Sequence, residues 1–328
     1  MATQIPHKTS RLPALRVALL AGGNSAERAV SLESGRAVHE ALLRRGHSVV
    51  PIDPAATDLE KIDRTDFDVA FLALHGTHGE DGRVQRILET ARIPFTGSDS
   101  LTSRLAFSKS ASKEHFSYSD VPTLPFVLIH QTDDASRIQQ QTSAIGFPCV
   151  IKPDAQGSSV GVSIVRSPEE LPGALTCCFE HDAFGIVEPF IEGTEWTVSM
   201  IDDLALPPIQ IVPGRTFYDY QAKYETENTR YLFDTDETAE TVAAILDAGK
   251  RACQSLGTRG LVRADIMLDR FRRPWVLEVN TIPGMTSHSL LPKAAARAGI
   301  DFDTLCERAL ESALSCAETN VWEHRRSA

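Results

Sequence analysis

Short apolar runs alternate with amphipathic stretches over the first hundred positions. The runs 17–20, 48–52 and 67–74 have the length and composition of buried strands, and 29–44 has a helical repeat of apolar residues. A strand, a helix and a strand in this order are typical of a parallel, doubly wound sheet. Ligands of such sheets gather at the carboxyl ends of the strands. We therefore expect functional residues in the loops that follow the first and third strands.

The pattern changes after residue 98 and predicts two further units. In the first, helices and strands alternate closely, at 108–118, 126–129, 134–145, 149–152 and 162–165. The second has a Tyr-rich segment without periodicity, at 215–230, among strands and helices at 196–201, 208–212, 237–256, 261–268 and 275–279, and it ends in two helices. We predict a flexible tail at 1–14, an N-terminal doubly wound α/β domain at 15–107, a small central α+β domain at 108–191 and a C-terminal α+β domain at 192–328.

Composition and charge exclude several classes of protein. Hydrophobic residues make up 42% and charged residues 23% of the 328 positions, which is unlike a disordered chain. The 33 basic and 44 acidic residues give a net charge of −11, which argues against a protein that mainly holds nucleic acid. No apolar run approaches the ~20 residues that span a membrane. The six cysteines form no C-x-x-C pair, and Cys177 and Cys178 are adjacent, which favours a reduced, cytoplasmic protein.

Three oxygen-bearing side chains lie on the last two predicted strands. Glu278 and Asn280 are two positions apart and so point to the same face, which Asp265 on the neighbouring strand can share. Carboxylate and amide oxygens suit Mg²⁺. The pattern predicts a metal site, with Leu277 and Val279 on the opposite, core face. A solvated polar face is the alternative.

A glycine-rich loop at 157–161 follows the predicted strand that ends in Lys152. Glycines let backbone N–H groups approach phosphate oxygens, and a lysine supplies positive charge, so this loop could bind phosphate. An ordinary hairpin turn is the alternative. Glu188 and Glu195 could accept hydrogen bonds from an adenine amino group or from ribose hydroxyls, or could be surface carboxylates.

A cluster of polar residues follows the third predicted strand. His75 and His78, with Glu80 and Asp81, look like a metal cluster, but no further His or Cys stands in register with them. We interpret this segment as a substrate loop. The remaining histidines, His47 among them, are expected at the surface.

Five segments, taken together and in order, resemble the D-alanine–D-alanine ligase family of the ATP-grasp superfamily. They are GGNSAER at 22–28, HG at 75–76 with GEDG at 79–82, KP at 152–153 with GSSVG at 157–161, FYDYQAKY at 217–224, and EVNT at 278–281 with PGMTSHS at 283–289. The resemblance runs from about Arg16 to Leu310. It implies the ATP-grasp ligase fold, with the α/β and α+β domains predicted above.

The resemblance implies ATP as a co-substrate, bound between the central and C-terminal domains. Lys109, Lys152 and Ser158 would contact its phosphates, while Glu188 would lie near the adenine and Glu195 on the ribose. Two Mg²⁺ or Mn²⁺ ions would bridge the terminal phosphates to Asp265, Glu278 and Asn280.

The resemblance also implies sites for two molecules of D-alanine. The first would place its ammonium near Glu27 and its carboxylate near His75 and Arg263. The carboxylate of the second would contact Lys223, Ser289 and the Leu290 backbone.

The implied reaction forms D-alanyl-D-alanine for bacterial cell-wall peptidoglycan and releases ADP and phosphate through an acylphosphate. Arg263 and the Gly284 N–H would hold the tetrahedral intermediate. Tyr224, Ser158 and Glu27 would form a hydrogen-bonded set that closes the Tyr-rich loop. The implied protein is a cytoplasmic homodimer without nucleic acid or membrane partners.

Two features differ from the family pattern, and two other functions compete with it. The segment 232–236 reads LFDTD where the family commonly has a Pro-Ala step, and the N-terminal tail is longer than most. One alternative is a related ligase that joins D-alanine to a hydroxy acid, against which Tyr224 argues. The other is an inactive nucleotide-binding regulator, against which a complete set argues: Lys109, Lys152, Asp265, Glu278 and Asn280.

Overall fold

A parallel sheet forms the N-terminal part of the protein. The computed structural model describes residues 12–214 and 229–326, with side chains up to residue 317. The elements are β1 (Arg16–Leu20), α1 (Arg28–Arg44), β2 (Ser48–Ile52), β3 (Val69–Leu72), α2 (Arg83–Ala91) and α3 (Ser100–Phe107). The strands pair in parallel in the order β2-β1-β3. This confirms the predicted parallel sheet and places the loops after β1 and β3 side by side.

The central part is a small sheet flanked by helices. Its elements are α4 (Lys109–Tyr118), β4 (Val127–His130), α5 (Ala135–Ile145), β5 (Cys149–Pro153), β6 (Ser163–Val165), α6 (Leu171–Phe179) and β7 (Phe184–Pro189). The strands pair antiparallel in the order β4-β7-β5-β6. The sheet therefore brings Lys152 on β5 beside Glu188 on β7, although 36 positions separate them.

The C-terminal part contains a larger antiparallel sheet. Its elements are β8 (Gly193–Ile201), β9 (Leu204–Ala205), β10 (Ile209–Val212), β11 (Arg230–Leu232), α7 (Ala239–Leu256), β12 (Leu261–Asp269), β13 (Pro274–Asn280), α8 (Leu290–Arg297) and α9 (Phe302–Arg326). The strands follow the order β11-β10-β8-β12-β13, and β9 pairs with β8. Helix α7 packs on this sheet through apolar residues such as Ile245 and Ala252. Within the described parts of the chain, no helix is long and apolar enough to cross a membrane.

The last helix packs against the N-terminal sheet as well as against α8. Leu305 and Leu310 of α9 share one apolar core with Leu19 and Phe71 of the parallel sheet. At the rim, Arg44 donates to both carboxylate oxygens of Asp303, at 2.7 and 2.9 Å. Residues from both ends of the chain therefore build one core, and this core holds the loops of the N-terminal sheet against the C-terminal sheet.

The prediction that His47 lies at the surface is wrong. Its side chain is fully buried, its Nδ1 accepts a hydrogen bond from the Leu15 N–H at 3.2 Å, and its Nε2 lies 4.0 Å from the Glu307 carboxylate. Glu307 belongs to α9. His47 is buried because the C-terminal helix covers this end of the N-terminal domain.

Candidate active site

Two adjoining cavities share the acidic residues of the C-terminal sheet. The first, here called the loop cavity, lies where the loops after β1 and β3 face that sheet, and its lining includes Glu27, His75, Ser158, Arg263, Gly284, Ser289 and Leu290. The second, here called the sheet cleft, lies between the two antiparallel sheets, and its lining includes Lys109, Lys152, Glu188, Glu195 and Met267. Both cavities are lined by Asp265 and Glu278. A group bound in one cavity therefore meets a group bound in the other at this acidic pair.

Strand pairing places four functional side chains on one face of the sheet. Asp265 on β12 lies opposite Glu278 on β13, and Arg263 lies opposite Asn280. Because directly opposed residues share a face, this confirms the predicted common face of Asp265, Glu278 and Asn280. The register shifts between Asp265 and Ile266, so Leu277 is an extra residue on β13.

This bulge corrects one detail of the sequence interpretation. We expected Leu277 and Val279 on the core face, and Val279 is buried there. Leu277 instead lines the sheet cleft together with Glu278. The bulge turns two successive side chains toward the cleft, as bulges beside active sites often do.

Cationic and amide groups surround the acidic pair. Arg263 donates to both oxygens of Asp265, at 2.8 Å each, and Asn280 Nδ2 donates to Asp265 Oδ2 at 3.2 Å. Lys109 Nζ lies 3.1 Å from Glu278 Oε2. Among the residues with described side chains, no group of three or more His, Cys, Asp or Glu could hold a metal ion. The predicted metal ligands are two carboxylates and one amide. They lie on a face of the sheet where the carboxylates already pair with Arg263 and Lys109.

A buried ion pair network forms one wall of the sheet cleft. Lys152 Nζ lies 2.5 Å from Glu188 Oε1, and Lys113 Nζ lies 2.9 Å from Glu188 Oε2. Burial alone would raise the pKa of the Glu188 carboxyl, but the two ammonium groups outweigh this effect and lower it to about 2. Glu188 is therefore a fixed anion between two lysines, and the alternative of a surface carboxylate is wrong.

Sequence reasoning missed Lys113. Its side chain is fully buried, although a lysine on an amphipathic helix ordinarily faces solvent. The available signal was its spacing, because Lys113 stands four positions after Lys109 and so lies on the same face of α4. Lys109 Nζ donates to the Gln156 carbonyl at 2.6 Å. Burial would lower the pKa of Lys109, but the negative charge of Glu278 more than offsets this and raises it.

The glycine-rich loop and the loop after β1 meet in the loop cavity. Ser158 donates a hydrogen bond to Glu27 Oε1, which is one half of the hydrogen-bonded set that the resemblance implies. The approach is close, since a Cβ on Gly157 would lie 2.8 Å from Glu27 Oε2 and a Cβ on Gly76 would lie 2.6 Å from it. Gly76 also has a φ of +70°, which an L side chain rarely adopts. Both glycines therefore make room for this carboxylate.

His75 is held on both sides of its ring. Its Nδ1 lies 3.1 Å from the Ile282 carbonyl oxygen, and its Nε2 lies 3.2 Å from Ser34 Oγ. A carbonyl only accepts, so the partners assign the proton to Nδ1 in the neutral ring. Burial lowers the pKa of His75, and the nearby carboxylate of Glu27 opposes this only in part. His75 thus lines the cavity as a neutral ring that ties the loop after β3 to the segment before α8.

Glu80 is a buried carboxyl of the loop cavity, whereas the sequence predicts it only as part of a substrate loop. Its Oε2 accepts a hydrogen bond from the Gly76 N–H at 3.1 Å. Burial, followed by repulsion from Glu27, raises the pKa of Glu80 well above its usual range. Glu80 therefore holds its proton more tightly than an exposed glutamate does.

The segment before α8 forms the remaining wall of the loop cavity. Ser289 Oγ accepts a hydrogen bond from the Thr286 N–H at 3.0 Å, and Leu290 begins the helix. A Cβ on Gly284 would lie 2.6 Å from Ser289 Oγ. Lys223 and Tyr224 lie outside the described residues, and Tyr231 on β11 lines this side of the cavity.

Two family models match successive segments of the chain. The model described as D-ala D-ala ligase N-terminus matches residues 54–98, and that described as D-ala D-ala ligase C-terminus matches residues 116–311. A curated relative from Gloeobacter violaceus, D-alanine--D-alanine ligase, is 42% identical over 301 residues, which cover 92% of this chain and 100% of the relative.

Solved structures have the same fold. The D-alanine--D-alanine ligase of Bacillus anthracis complexed with ATP has a TM-score of 0.81 at 32% identity, covering 94% of this chain and 100% of that one. The VanG D-Ala:D-Ser ligase of Enterococcus faecalis has a TM-score of 0.80 at 27% identity, covering 91% of this chain and 99% of that one. This chain therefore belongs to the D-alanine–D-alanine ligase family and has its ATP-grasp fold.

Proposed function

We infer that this protein is an ATP-dependent ligase that joins two molecules of D-alanine into D-alanyl-D-alanine for synthesis of cell-wall peptidoglycan. One structural observation supports this inference. The loop cavity and the sheet cleft meet at Asp265 and Glu278, so a nucleotide in the cleft and an amino acid in the cavity would present their reacting groups to each other there.

The sheet cleft is the proposed nucleotide site. Its apolar walls, among them Met267 and Leu277, suit a purine ring. Lys109 and Lys152 would contact the phosphates, with help from Ser158 at the mouth of the glycine-rich loop. Glu188 would lie near the adenine, and Glu195 would lie near the ribose hydroxyls. The proposed ATP contacts are therefore Lys109, Lys152, Ser158, Glu188 and Glu195.

The loop cavity is the proposed site for the two amino acids. The ammonium of the first D-alanine would pair with Glu27, and its carboxylate would lie by Arg263, with His75 beside it. We propose that the carboxylate of the second binds to the segment that begins α8 and to the Tyr-rich loop, through Ser289, the Leu290 N–H and Lys223. Tyr224 would join the Ser158 and Glu27 pair and close the loop over both.

The chemistry requires charge neutralisation more than acid–base catalysis. Attack by a carboxylate oxygen of the first D-alanine on the γ-phosphorus releases ADP and forms an acylphosphate. The amine of the second D-alanine, after losing a proton, then attacks the acyl carbon and displaces phosphate. Arg263 and the Gly284 N–H would hold the oxyanion of the tetrahedral intermediate, and a closed site would keep water from the acylphosphate.

Divalent cations are part of the proposal. Asp265, Glu278 and Asn280 place hard oxygen donors on one face, and both carboxylates already attract cationic groups, Arg263 and Lys109. This donor set fits Mg²⁺ or Mn²⁺. Two such ions, when bound, would neutralise the phosphate oxygens. Lys109 and Lys152 would then orient the nucleotide, and they would not have to neutralise all the negative charge of its phosphates.

We further propose that the protein is cytoplasmic and works as a homodimer. Leu32 and Leu43 on α1 and Val50 on the edge strand β2 are exposed large apolar residues of the N-terminal domain, and a second copy could cover them. Light scattering coupled to gel filtration tests the dimer, and a monomeric mass at assay concentration would contradict it.

The test of the function is a product assay. Purified protein with ATP, Mg²⁺ and D-alanine should produce ADP, phosphate and D-alanyl-D-alanine in equal amounts, as measured by mass spectrometry and phosphate release. Without D-alanine, ATP should be stable. Formation of AMP and pyrophosphate would reject the acylphosphate route, while ATP binding without D-alanine-dependent turnover would favour a nucleotide-binding regulator.

A further inference from the structure

Lys113 makes polar contacts with two parts of the protein beside the sheet cleft, strand β7 and the segment between α4 and β4. Its ammonium lies 2.9 Å from Glu188 on β7 and donates to Thr123 Oγ1 at 3.0 Å. It also donates to the Leu124 carbonyl at 3.4 Å. The side chain itself has no solvent exposure. Burying an ammonium without partners costs free energy, and these three contacts offset that cost. The position of Lys113 is therefore specified by its partners.

These contacts connect Lys113 to residues on both sides of the cleft. Thr123 Oγ1 donates to the Val276 carbonyl on β13 at 3.0 Å, and the Val276 N–H donates to the Pro122 carbonyl at 2.8 Å. Strand β13 also carries Glu278. The ammonium of Lys113 thus links α4 to the central sheet and, through Thr123, to the strand with the acidic pair.

Glu188 divides its two oxygens between two lysines. Oε1 is bound to Lys152 and Oε2 to Lys113, so each ammonium neutralises only part of one carboxylate. If Lys113 were removed, the buried Glu188 carboxylate would depend more on Lys152 for its neutralisation and would hold it more tightly. Lys152 would then be less able to pair with an anionic ligand in the cleft.

We propose that Lys113 is a positioning residue of the nucleotide site: by holding one oxygen of Glu188, it leaves the ammonium of Lys152 able to contact the nucleotide. This proposal rests on the proposed function, because it places ATP in the sheet cleft. Lys113 itself contacts neither the nucleotide nor the amino acids. Its effect passes through Glu188 and Lys152.

The test is a double-mutant cycle between Lys113→Met and Glu188→Gln. We expect Lys113→Met to raise KM for ATP about tenfold, with kcat and KM for D-alanine changed by less than about threefold. In the Glu188→Gln background, the same Lys113→Met change should alter KM for ATP by less than about threefold, because the anion through which it acts is gone. Equal increases in both backgrounds, or an equal increase in KM for D-alanine, would overturn the proposal.

Three controls complete the experiment. Glu114→Gln changes the next, exposed position of α4 and should leave every kinetic constant unchanged. Lys113→Gln keeps hydrogen-bonding groups but no charge, and it replaces the Met variant if that protein does not fold. Calorimetric titration with a non-hydrolysable ATP analogue measures nucleotide affinity without turnover. A wild type that binds the analogue but makes no dipeptide would contradict the proposed function, and the Lys113–Glu188 cycle would then be measured as analogue affinities instead of KM values. Unchanged analogue affinity in both Lys113 variants would overturn this proposal.

Discussion

Ser158 and Glu27, 131 positions apart in the chain, share a hydrogen bond that joins the glycine-rich loop of the central domain to the loop after β1. Ser158 has a φ of +52°, an unusual conformation for a residue with a side chain. The conformation aims its hydroxyl at the carboxylate that we assign to the ammonium of the first D-alanine. The glycine-rich loop and the loop after β1 are therefore coupled through this pair of side chains.

Ser158→Ala removes this hydrogen bond and should impair use of the first D-alanine. A hydrogen bond to a charged group contributes about 1.5 to 3 kcal/mol, so kcat/KM for D-alanine should fall about 10- to 100-fold. Initial rates over a D-alanine series measure the effect. Ser143→Ala, at an exposed position on α5, is the matched control and should behave like wild type. Similar losses in both variants would remove Ser158 from the site.

Gly157→Ala should disturb Glu27 by direct contact. The added Cβ would lie 2.8 Å from Glu27 Oε2, which is too close, so the carboxylate must move and kcat/KM for D-alanine should fall about tenfold or more. Gly173→Ala on α6 is the matched control, because a Cβ there meets nothing within 4 Å. In that variant, activity should be unchanged and the melting temperature slightly higher, since Ala favours a helix over Gly. Full activity of Gly157→Ala would contradict the packing argument.

Glu278→Gln keeps the shape of the side chain and removes its charge. If this carboxylate helps to hold the divalent cation, kcat should fall on the order of 100-fold or more while the fold is retained. The measurement is phosphate release at saturating ATP and Mg²⁺, with circular dichroism as the fold check. Glu240→Gln on the exposed side of α7 controls for the loss of a negative charge. Near-normal turnover of Glu278→Gln, or wild-type activity that persists in excess EDTA, would exclude the proposed metal site.

Glu80→Gln should stabilise the protein increasingly as the pH rises. Burial and Glu27 raise the pKa of Glu80 in the folded protein above its ordinary value of 4.5, so the folded state binds this proton more tightly than the unfolded chain. Stability from Glu80 is therefore fully present below about pH 4.5 and is lost as the pH rises through the folded pKa. Glutamine imitates the protonated form and avoids this loss.

Melting temperatures between pH 5 and pH 8 check this pH dependence. The advantage of Glu80→Gln over wild type should widen toward pH 8, whereas Glu33→Gln, at an exposed position of α1, should show no such trend. A difference between Glu80→Gln and wild type that stays constant over this range would show that the proton on Glu80 is not linked to folding.

Local pattern was sufficient for most strands, helices and one functional face. The run 48–52 is strand β2 as predicted, and the paired strands at 261–268 and 275–279 are β12 and β13 with slightly wider bounds. Alternation along a strand put Glu278 and Asn280 on one face, and the antiparallel partner supplied Asp265. These predictions succeed because periodicity 2 and periodicity 3.6 depend only on neighbours along the chain.

Local pattern does not predict contacts between segments that are distant in the sequence. Neither the bulge at Leu277 nor the burial of His47 under α9 has a local signal, because each depends on which element packs against it. Lys113 is the clearest example. Its spacing from Lys109 places both lysines on one face of α4, but only the tertiary packing that brings β7 to this face supplies Glu188 as its partner.

By itself, the sequence determined many of the elements, the parallel sheet, the pairing of the strands that carry Asp265 and Glu278, the glycine-rich loops and the residue types available for binding phosphate, cations and amino acids. Tertiary structure alone decided which charges of distant segments neutralise one another: Lys109 with Glu278, and Glu188 with two lysines. The physical reason is that the energy of a charge depends on its burial and on partners within a few ångströms. Those two quantities are set by how the sheets and helices pack, and no stretch of sequence contains them.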